Sequence, residues 1–390
     1  MTLNVALVSE SVSSVRGGAE TSTSQFLQHL LDQGVNVDLY TQTRLEARER
    51  LKVHTIETSG GLKTFQTLRF SSKVDQLLAG RQYDVVHAIT PCLAADVYQP
   101  RGGTVPETVE RNLAMRQSSA SRALKRIANE FNLKQRAMLR LERQLVCRKQ
   151  PPVVVAISEY VRRQLAHHYR LNGDCIQLIF NGIDYQPCSA EQRRLDRAAV
   201  RELYGVAEDQ VLALVIAHNF KLKGVASWLA ALSLLRRRHG DRFKTVIIGK
   251  ASARPYVRLA QSLGVSDVAM FVGPTQRTRE FFHAADVLVH PTYYDPCSRV
   301  VLEAMLYGVP PVTTRFNGAA EVITDGVTGK IIASPEDIED LARAVENAAA
   351  PEIRSQLECA HENLVERLSM KRHATEMVNL YGRIADGARS

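Results

Sequence analysis

Short, continuously apolar segments alternate with longer amphipathic segments along most of this chain, and this alternation limits the fold more than any other feature. The first apolar segment is Leu3–Val8, and such segments recur as far as VPPVTT at 309–314. Apolar strands that alternate with helices are typical of parallel sheets covered on both faces. The sequence therefore predicts a doubly wound α/β protein.

The alternation occurs twice, on either side of a turn-rich interruption, NGIDYQPCS, at 181–189. With 390 residues, 45% apolar and 23% charged, the composition is that of a globular chain of about two domains. We predict an N-terminal domain over 1–188, a second over 189–367, and a C-terminal helix at about 368–388 that packs back on the first. Ligands of such sheets bind beyond the carboxyl ends of the strands, so facing sites are expected between the two domains.

Positive charge is concentrated in the first predicted domain. The formal net charge is +9, yet residues 111–170 alone hold 14 lysines and arginines against three acidic residues. Apolar residues recur in that stretch at helical spacing, at positions 124, 127, 131, 138, 141 and 145. This predicts one amphipathic basic helix over Ala120–Cys147. Because few aromatic residues interleave with the basic ones, no nucleic-acid partner is expected.

The six cysteines lie far apart, with neither a C-x-x-C pair nor zinc-type spacing to histidine. We therefore expect reduced thiols in a cytoplasmic protein. The N-terminus lacks a basic leader, and no apolar run approaches the roughly 20 residues that span a bilayer. A protein without a transmembrane anchor is expected, resting at most on a membrane surface.

Two loops that each follow a predicted strand contain residues typical of phosphate-binding sites. Gly17 and Gly18 precede the first helix, where backbone N–H groups can close on a phosphate, although the full G-x-G-x-x-G pattern is absent. The loop HNFKLKG at 218–224 offers Lys221 and Lys223, whose ammonium groups can neutralise a diphosphate without a metal. The alternative for the Gly17-Gly18 loop is a structural turn. The alternative for loop 218–224, called the lysine loop below, is a solvated charged loop.

The segment HPTYYDPCSRVVLEAMLYGVPPVTT at 290–314 is the most informative. Asp295 and Glu303 lie eight residues apart, with a turn and the start of a predicted helix between them. Backbone N–H groups at a helix start favour hydroxyl or phosphate oxygens. A carboxylate such as Glu303 can accept bonds from the vicinal hydroxyls of a ribose, while an incidental surface glutamate is the alternative.

Together these motifs resemble the retaining glycosyltransferases of family 4, which have the GT-B fold of two Rossmann-like domains facing a central cleft. They resemble especially the lipopolysaccharide-core glucosyltransferase branch. Residues 295–305 match the family's E-x7-E motif, with Asp295 in its first position. The resemblance also covers the Gly-Gly loop, AISEYVRRQL at 156–165, FNGID at 180–184 and the lysine loop.

The resemblance implies transfer of a hexose, expected to be glucose, from a nucleotide-diphosphate sugar, expected to be UDP-linked. It also implies retention of the anomeric configuration, with no metal or other cofactor. Asp295, Lys221 and Lys223 would act on the transferred sugar and the diphosphate, and Glu303 would bind the ribose. The remaining implied donor contacts come from Gly17, Gly18, Cys297, Ser298, Arg299 and Val300. The absence of a D-x-D motif agrees with a metal-free site.

The chain departs from the family pattern at three places. Asp295 is one methylene shorter than the usual glutamate, and Lys221 lacks the bidentate fork of the usual arginine. The acceptor-side loop QPRGGTVPE offers neither the acid nor the histidine found in relatives. We take Arg101, Glu107 and His87 as candidate residues on the acceptor side of the site. A histidine such as His87, which follows a strand with two valines, is more often a packed or hydrogen-bonded residue of the strand end. A route in which the leaving phosphate accepts the proton would need no base.

The resemblance places residues 111–170 in the domain that faces the acceptor. A cationic amphipathic helix can lie on an anionic leaflet, so we expect a glycolipid or glycan acceptor, such as a lipopolysaccharide core. Peripheral attachment to the inner face of the bacterial cell membrane would follow, with a solvated surface as the alternative. The missing acceptor-side acid leaves a second function open, that of a catalytically inactive sugar-nucleotide sensor.

Overall fold

The computed structural model describes residues 2–12, 18–58, 65–116, 119–171 and 173–389. The chain forms two compact units, one of Met1–Asp184 with Leu368–Ser390 and one of Tyr185–Arg367. Each unit is built on its own parallel sheet. Among the described residues, none of the helices combines the length and the apolar character needed to cross a membrane.

The sheet of the first unit has seven strands in the order β3-β2-β1-β4-β5-β6-β7. All neighbouring strands are parallel, and Val5 of β1 lies opposite Val37 of β2 on one side and Val85 of β4 on the other. The strands are β1 Asn4–Val8, β2 Asn36–Thr41, β3 Leu51–Thr55, β4 Val85–Ala88, β5 Val97–Tyr98, β6 Val153–Ala156 and β7 Ile176–Leu178. Most apolar residues of the inner strands are buried because helices cover the sheet, whereas Leu178 on the edge strand β7 is 39% exposed.

The described part of this unit contains six α-helices before the unit boundary. They are α1 Gly18–Asp32, α2 Gln66–Leu78, α3 Val105–Ala114, α4 Ser119–Glu130, α5 Leu133–Val146 and α6 Glu159–Tyr169. The prediction of one continuous helix over Ala120–Cys147 is wrong, because α4 and α5 are separate. Asn132 caps α5 by accepting a hydrogen bond from the Gln135 N–H, and asparagine in this position favours a new helix start. The apolar spacing continues across the break, which is why periodicity alone missed it.

The second unit has a six-stranded parallel sheet in the order β10-β9-β8-β11-β12-β13. Its strands are β8 Val211–Ile216, β9 Phe243–Ile248, β10 Ala269–Gly273, β11 Val287–His290, β12 Pro311–Thr314 and β13 Lys330–Ile332. The chain runs from β8 to β9 on one side, and β11 lies on the other side of β8. The order therefore reverses at β8, and ligands of doubly wound sheets bind at such a point.

The helices of the second unit pack on both faces of this sheet around a core that includes the fully buried Trp228. They are α7 Ala190–Leu203, α8 Val225–His239, α9 Arg254–Ser262, α10 Thr278–Ala284, α11 Arg299–Leu306, α12 Ile338–Ala348, α13 Pro351–Cys359 and α14 His361–Arg367. The last helix of the chain, α15 (Met370–Arg389), returns to the first unit. It packs against α1, and its Met377 and Tyr381 join the core there.

Candidate functional site

The loops that follow β8 and β11 come into contact at the carboxyl edge of the second sheet. Gly224 ends the first of these loops with φ +67°, and a Cβ atom there would lie 2.1 Å from the carbonyl oxygen of Pro291. Glycine is therefore required for the close approach. The Tyr293 N–H donates to the Leu222 carbonyl at 2.9 Å, which joins the loops directly.

This contact pairs two of the residues predicted from the sequence. Lys223 Nζ lies 2.5 Å from Asp295 Oδ2, and both side chains are 16% exposed. Lys223 also donates to the Tyr294 carbonyl at 3.2 Å. Burial alone would raise the pKa of Asp295, but the charge of Lys223 and the hydrogen bond to His290 outweigh it and hold the pKa well below its usual range. Asp295 is therefore ionised throughout the neutral range.

His290, at the end of β11, is a third member of this cluster that the sequence analysis did not single out. Its Nε2 atom lies 3.5 Å from Asp295 Oδ2 and 3.3 Å from Ser298 Oγ. Burial lowers the pKa of His290, with Lys223 acting in the same direction and Asp295 opposing it. The signal was a histidine at the very end of a predicted strand, five residues before Asp295.

Asn317 organises the turn before α11 and was also missed. Its Oδ1 atom accepts from the N–H groups of Ser298, at 3.1 Å, and Ala319, at 3.0 Å, while its Nδ2 donates to Thr313 Oγ1 at 3.0 Å. Asparagine commonly satisfies nearby backbone groups in this way. No motif marked this residue, because its partners Thr313 and Ser298 become neighbours only when β12 lies beside β11.

Four of the predicted donor contacts lie at the start of α11. The N–H of Cys297 points to Asp295 Oδ1 at 3.3 Å, and the N–H of Ser298 is held by Asn317. The Ser298 side chain does not cap the helix. The first-turn N–H groups that follow, those of Arg299 and Val300, are thus the ones best placed to meet a ligand oxygen.

Glu303 lies one helical turn after Arg299, whose Nη2 donates to Glu303 Oε1 at 3.2 Å. The Glu303 side chain is 25% exposed. Burial raises the pKa of Glu303, and Arg299 offsets only part of that effect. Asp295 and Glu303 therefore differ in protonation behaviour although one motif contains both.

The two lysines of the lysine loop occupy different environments. Lys223 is partly buried in its pair with Asp295, whereas Lys221 is exposed. The sequence did not distinguish them, because the spacing K-x-K gives each the same local composition. Only the contact with the β11 loop separates their environments.

In the first unit, Gly17 lies outside the described residues, and Gly18 is the first residue of α1. Arg101 is buried, with its Nε donating to Gln99 Oε1 at 2.8 Å and its Nη1 to Ser22 Oγ at 3.0 Å. Its guanidinium lies over the Phe26 ring, 5.0 Å from the centroid. Arg101 is thus integrated into the packing around α1.

The two other acceptor-side candidates are held by internal bonds. Glu107 accepts from Arg111 at 2.8 Å and from Tyr160 and His168 at 2.9 Å each. Burial acts to raise the pKa of Glu107, but these three bonds outweigh it and lower the pKa. His87 is fully buried, with Nδ1 2.7 Å from the Tyr381 hydroxyl, and burial lowers its pKa well below the usual value.

Among the residues that the structure describes, one group offers three potential ligands to a metal ion. Glu107, Glu110 and His168 place ligand atoms within 4.8 Å of one another. The guanidinium of Arg111, bonded to Glu107, adds a positive charge at the same place. Because that charge opposes a cation, the group is better described as an ion-pair network.

Comparisons with known proteins cover both units. Residues 196–360 match the family model for glycosyl transferases group 1, and residues 16–187 match the model for glycosyltransferase family 4. The lipopolysaccharide glucosyltransferase WaaG of Escherichia coli (strain K12) is 31% identical over 181 residues, which are 46% of this chain and 48% of that protein. The D-inositol 3-phosphate glycosyltransferase 2 of Catenulispora acidiphila is 31% identical over 203 residues, 49% of this chain and 46% of that protein. The chain spans about half the length of the curated relatives it matches.

Solved structures share the fold of this chain. The crystal structure of WaaG, a glycosyltransferase involved in lipopolysaccharide biosynthesis, superposes with a TM-score of 0.78 at 22% identity, covering 96% of this chain and 99% of that one. Anabaena Alr3699/HepE, solved in complex with UDP and glucose, gives a TM-score of 0.68 at 18% identity, with 97% and 99% covered. These likenesses confirm the GT-B fold predicted from the sequence.

Proposed function

We propose that this chain, which belongs to the family 4 glycosyltransferases and has the GT-B fold, transfers a hexose from a nucleotide-diphosphate sugar to a glycan acceptor. The observation that carries the proposal is the arrangement at the carboxyl edge of the second sheet. A lysine, an ionised carboxylate and a helix start converge there, at the point where the strand order reverses. Positive charge beside backbone N–H groups suits a diphosphate, and carboxylates suit sugar hydroxyls.

The proposed donor is UDP-glucose or a related UDP-hexose. Lys221 and Lys223 bind the diphosphate, with the N–H groups of Arg299 and Val300 on its oxygens. Glu303 accepts hydrogen bonds from the ribose hydroxyls through the carboxylate oxygen that Arg299 does not engage. Asp295, held by Lys223 and His290, contacts the hexose. The two lysines and the helix start stabilise the charge on the leaving diphosphate, which is the task that a metal ion performs in other transferases.

We propose that the anomeric configuration is retained and that no side chain of the first unit acts as general base. Glu107 carries three hydrogen bonds and a lowered pKa, which make it a poor proton acceptor. His87 is fully buried and bonded to Tyr381. A front-face route, in which a leaving phosphate oxygen takes the acceptor's proton, uses only groups of the donor and its site.

A glycolipid acceptor, such as a lipopolysaccharide core, is favoured by the surface of α4 and α5. Four apolar side chains there are strongly exposed, at 70%, 53%, 77% and 64%, namely Leu124, Ile127, Phe131 and Leu133. Exposed basic residues accompany them, namely Arg126, Lys134, Arg136 and Arg140. Apolar and cationic side chains on one short stretch suit an anionic membrane surface, so we propose peripheral attachment to the inner face of the bacterial cell membrane. Vesicle binding tests this.

The test of the proposed reaction is release of UDP from UDP-glucose, with and without lipopolysaccharide-core acceptors, followed by analysis of the product's anomeric configuration. Release that persists in EDTA and falls in Glu303→Ala supports a metal-independent transferase. Strict dependence on Mg²⁺ or Mn²⁺ would contradict the lysine-based site. Tight donor binding with no release across a broad acceptor panel would instead identify a sugar-nucleotide sensor.

A further inference from the structure

The side chains of Cys188, His283 and Asp196 contact one another in that order, where α7 packs against α10 in the second unit. Cys188 precedes α7, Asp196 lies within α7, and His283 lies in α10. Cys188 Sγ is 3.5 Å from His283 Nε2, and His283 Nδ1 is 2.7 Å from Asp196 Oδ2. A thiol, an imidazole and a carboxylate connected in this order form the arrangement that activates cysteine nucleophiles.

The hydrogen bonds determine which imidazole nitrogen carries the proton. The Asp196 carboxylate also accepts from Gln192 Nε2, at 2.7 Å, and a carboxylate can only accept from His283 Nδ1. Nδ1 therefore donates, and the lone pair of Nε2 faces the Cys188 thiol. Burial lowers the pKa of His283, partly offset by Asp196, so the neutral imidazole that can accept a proton is the resting form.

The surrounding rings hold the histidine in place. The His283 side chain is fully buried, and the Tyr307 ring meets it edge-on with centroids 5.4 Å apart. Tyr307 in turn packs against Tyr185, three residues before Cys188, at 5.2 Å. Cys188 is only partly buried, so the cysteine is the member of this group nearest to solvent.

We propose that Cys188 is a nucleophilic thiol, activated by His283 and positioned through Asp196, that forms mixed disulfides with low-molecular-weight disulfides. The Cys188 proton moves to His283 Nε2, and the thiolate attacks one sulfur of the reagent. A new sulfur–sulfur bond forms as the reagent's own bond breaks. The departing thiolate takes the proton from His283, so the dyad returns to its neutral state. This inference does not depend on the proposed transferase activity.

The chain contains its own controls, because Cys147 and Cys359 are more exposed than Cys188. If access alone decided reactivity, these two thiols would react first. The structure predicts the opposite order, since a base lies beside the less exposed sulfur. All six cysteines are free, so each can be followed in the same sample.

The first experiment is limited alkylation of the intact protein with iodoacetamide near neutral pH, with site-resolved mass spectrometry. Cys188 is expected to react about tenfold faster than Cys147 and Cys359 at about pH 6.5. In His283→Gln, the alkylation rate of Cys188 is expected to fall to the rates of Cys147 and Cys359. The other titratable or charged groups facing the pair, Arg193, Arg279, Tyr185 and Tyr307, are unchanged in that variant.

Asp196→Asn serves as the second variant, because the exchange keeps the size of the side chain. It is expected to slow the alkylation of Cys188 without changing the alkylation rate of Cys359. If His283→Gln does not fold, this variant alone tests whether His283 and Asp196 activate the thiol. Cys188 reacting no faster than the two exposed thiols in the wild type, or at the same rate in a folded variant, would overturn the proposal.

The second experiment uses oxidised glutathione as the disulfide. One adduct per chain, absent from Cys188→Ser and removed by dithiothreitol, is expected from the mass of the intact protein. Adducts confined to Cys147 and Cys359 would show that exposure rather than the His283–Asp196 pair governs the chemistry.

Discussion

The helices α3 to α6 of the first unit and the strand-end loops of the second unit both bury carboxylates, but they do so with different partners. Glu142, fully buried in α5, accepts from Tyr98 at 2.8 Å, from the Val105 N–H at 2.9 Å and from Tyr169. Glu107 is bonded to three side chains in the same way. These acids use their acceptor capacity to hold helices together.

In the second unit, by contrast, the two motif carboxylates, Asp295 and Glu303, lie near the carboxyl edge of the sheet, and each is paired with a basic side chain. Asp295 contacts Lys223 and His290 and accepts from the Cys297 N–H, whereas Glu303 has Arg299 on one oxygen, Oε1. Acceptor capacity therefore remains for hydroxyl groups of a ligand. The two sets of acids are both buried but differ in their partners, so we expect the ligand-binding acids near the sheet edge, beside basic side chains and a helix start.

The largest effect is expected from Lys223→Ala. Removing the cation takes a donor from the diphosphate and leaves Asp295 without its main counter-charge, so transfer should fall by about 100- to 1,000-fold. Lys221→Ala is the matched control, since Lys221 is exposed, and should lose about tenfold. UDP release under saturating donor measures both. Equal losses would show that the Lys223–Asp295 contact adds nothing to catalysis.

Glu142→Ala should destabilise the first unit rather than affect the donor site. Two tyrosine hydroxyls and the Val105 N–H lose a buried acceptor, which should cost about 3 kcal/mol. Urea unfolding followed by circular dichroism measures this change. Glu159→Ala, which removes a more exposed helix-surface partner of Arg162, should cost less than about 0.5 kcal/mol. Comparable costs would show that the buried hydrogen bonds of Glu142 do not hold these helices together.

Replacing two exposed apolar residues, Leu124→Ser with Phe131→Ser, should weaken binding to vesicles containing anionic lipid by at least about tenfold. Co-sedimentation with anionic and neutral vesicles measures the change. Leu203→Ser is the control, because Leu203 is 69% exposed but lies on α7 of the second unit. Equal binding to neutral vesicles, or an equal loss in the control, would contradict membrane docking through α4 and α5.

The smallest expected effect is a decrease in donor affinity at acidic pH. Because burial raises the pKa of Glu303, its carboxylate takes up a proton at a higher pH than an ordinary glutamate and then accepts fewer ribose hydrogen bonds. Asp295, with a lowered pKa, stays ionised over that range. Isothermal titration with UDP-glucose, whose phosphates stay ionised over this range, should show affinity falling as pH drops, by about a few fold. In Glu303→Gln this pH dependence of donor affinity should disappear. If it persists, a group other than Glu303 takes up the proton.

Much of this organisation was readable from the sequence. Strand and helix alternation predicted two doubly wound sheets because buried parallel strands must be apolar on both faces. Motif spacing brought Asp295, Glu303, Lys221 and Lys223 to notice. The basic stretch stood out by its charge, but its division at Asn132 was not predicted, because the apolar periodicity continues past the residue that caps α5.

The sequence by itself determined the strands, the polar loops at their ends and the charges that those loops carry, since these follow from local patterns. The tertiary structure alone decided that Lys223 meets Asp295, that Asn317 holds the turn before α11, and that Cys188 faces His283. Each of these contacts joins residues far apart in the chain. The physical reason is that sheet order and helix packing, rather than local spacing, determine which segments become neighbours, and the pKa of each group then follows from its neighbours.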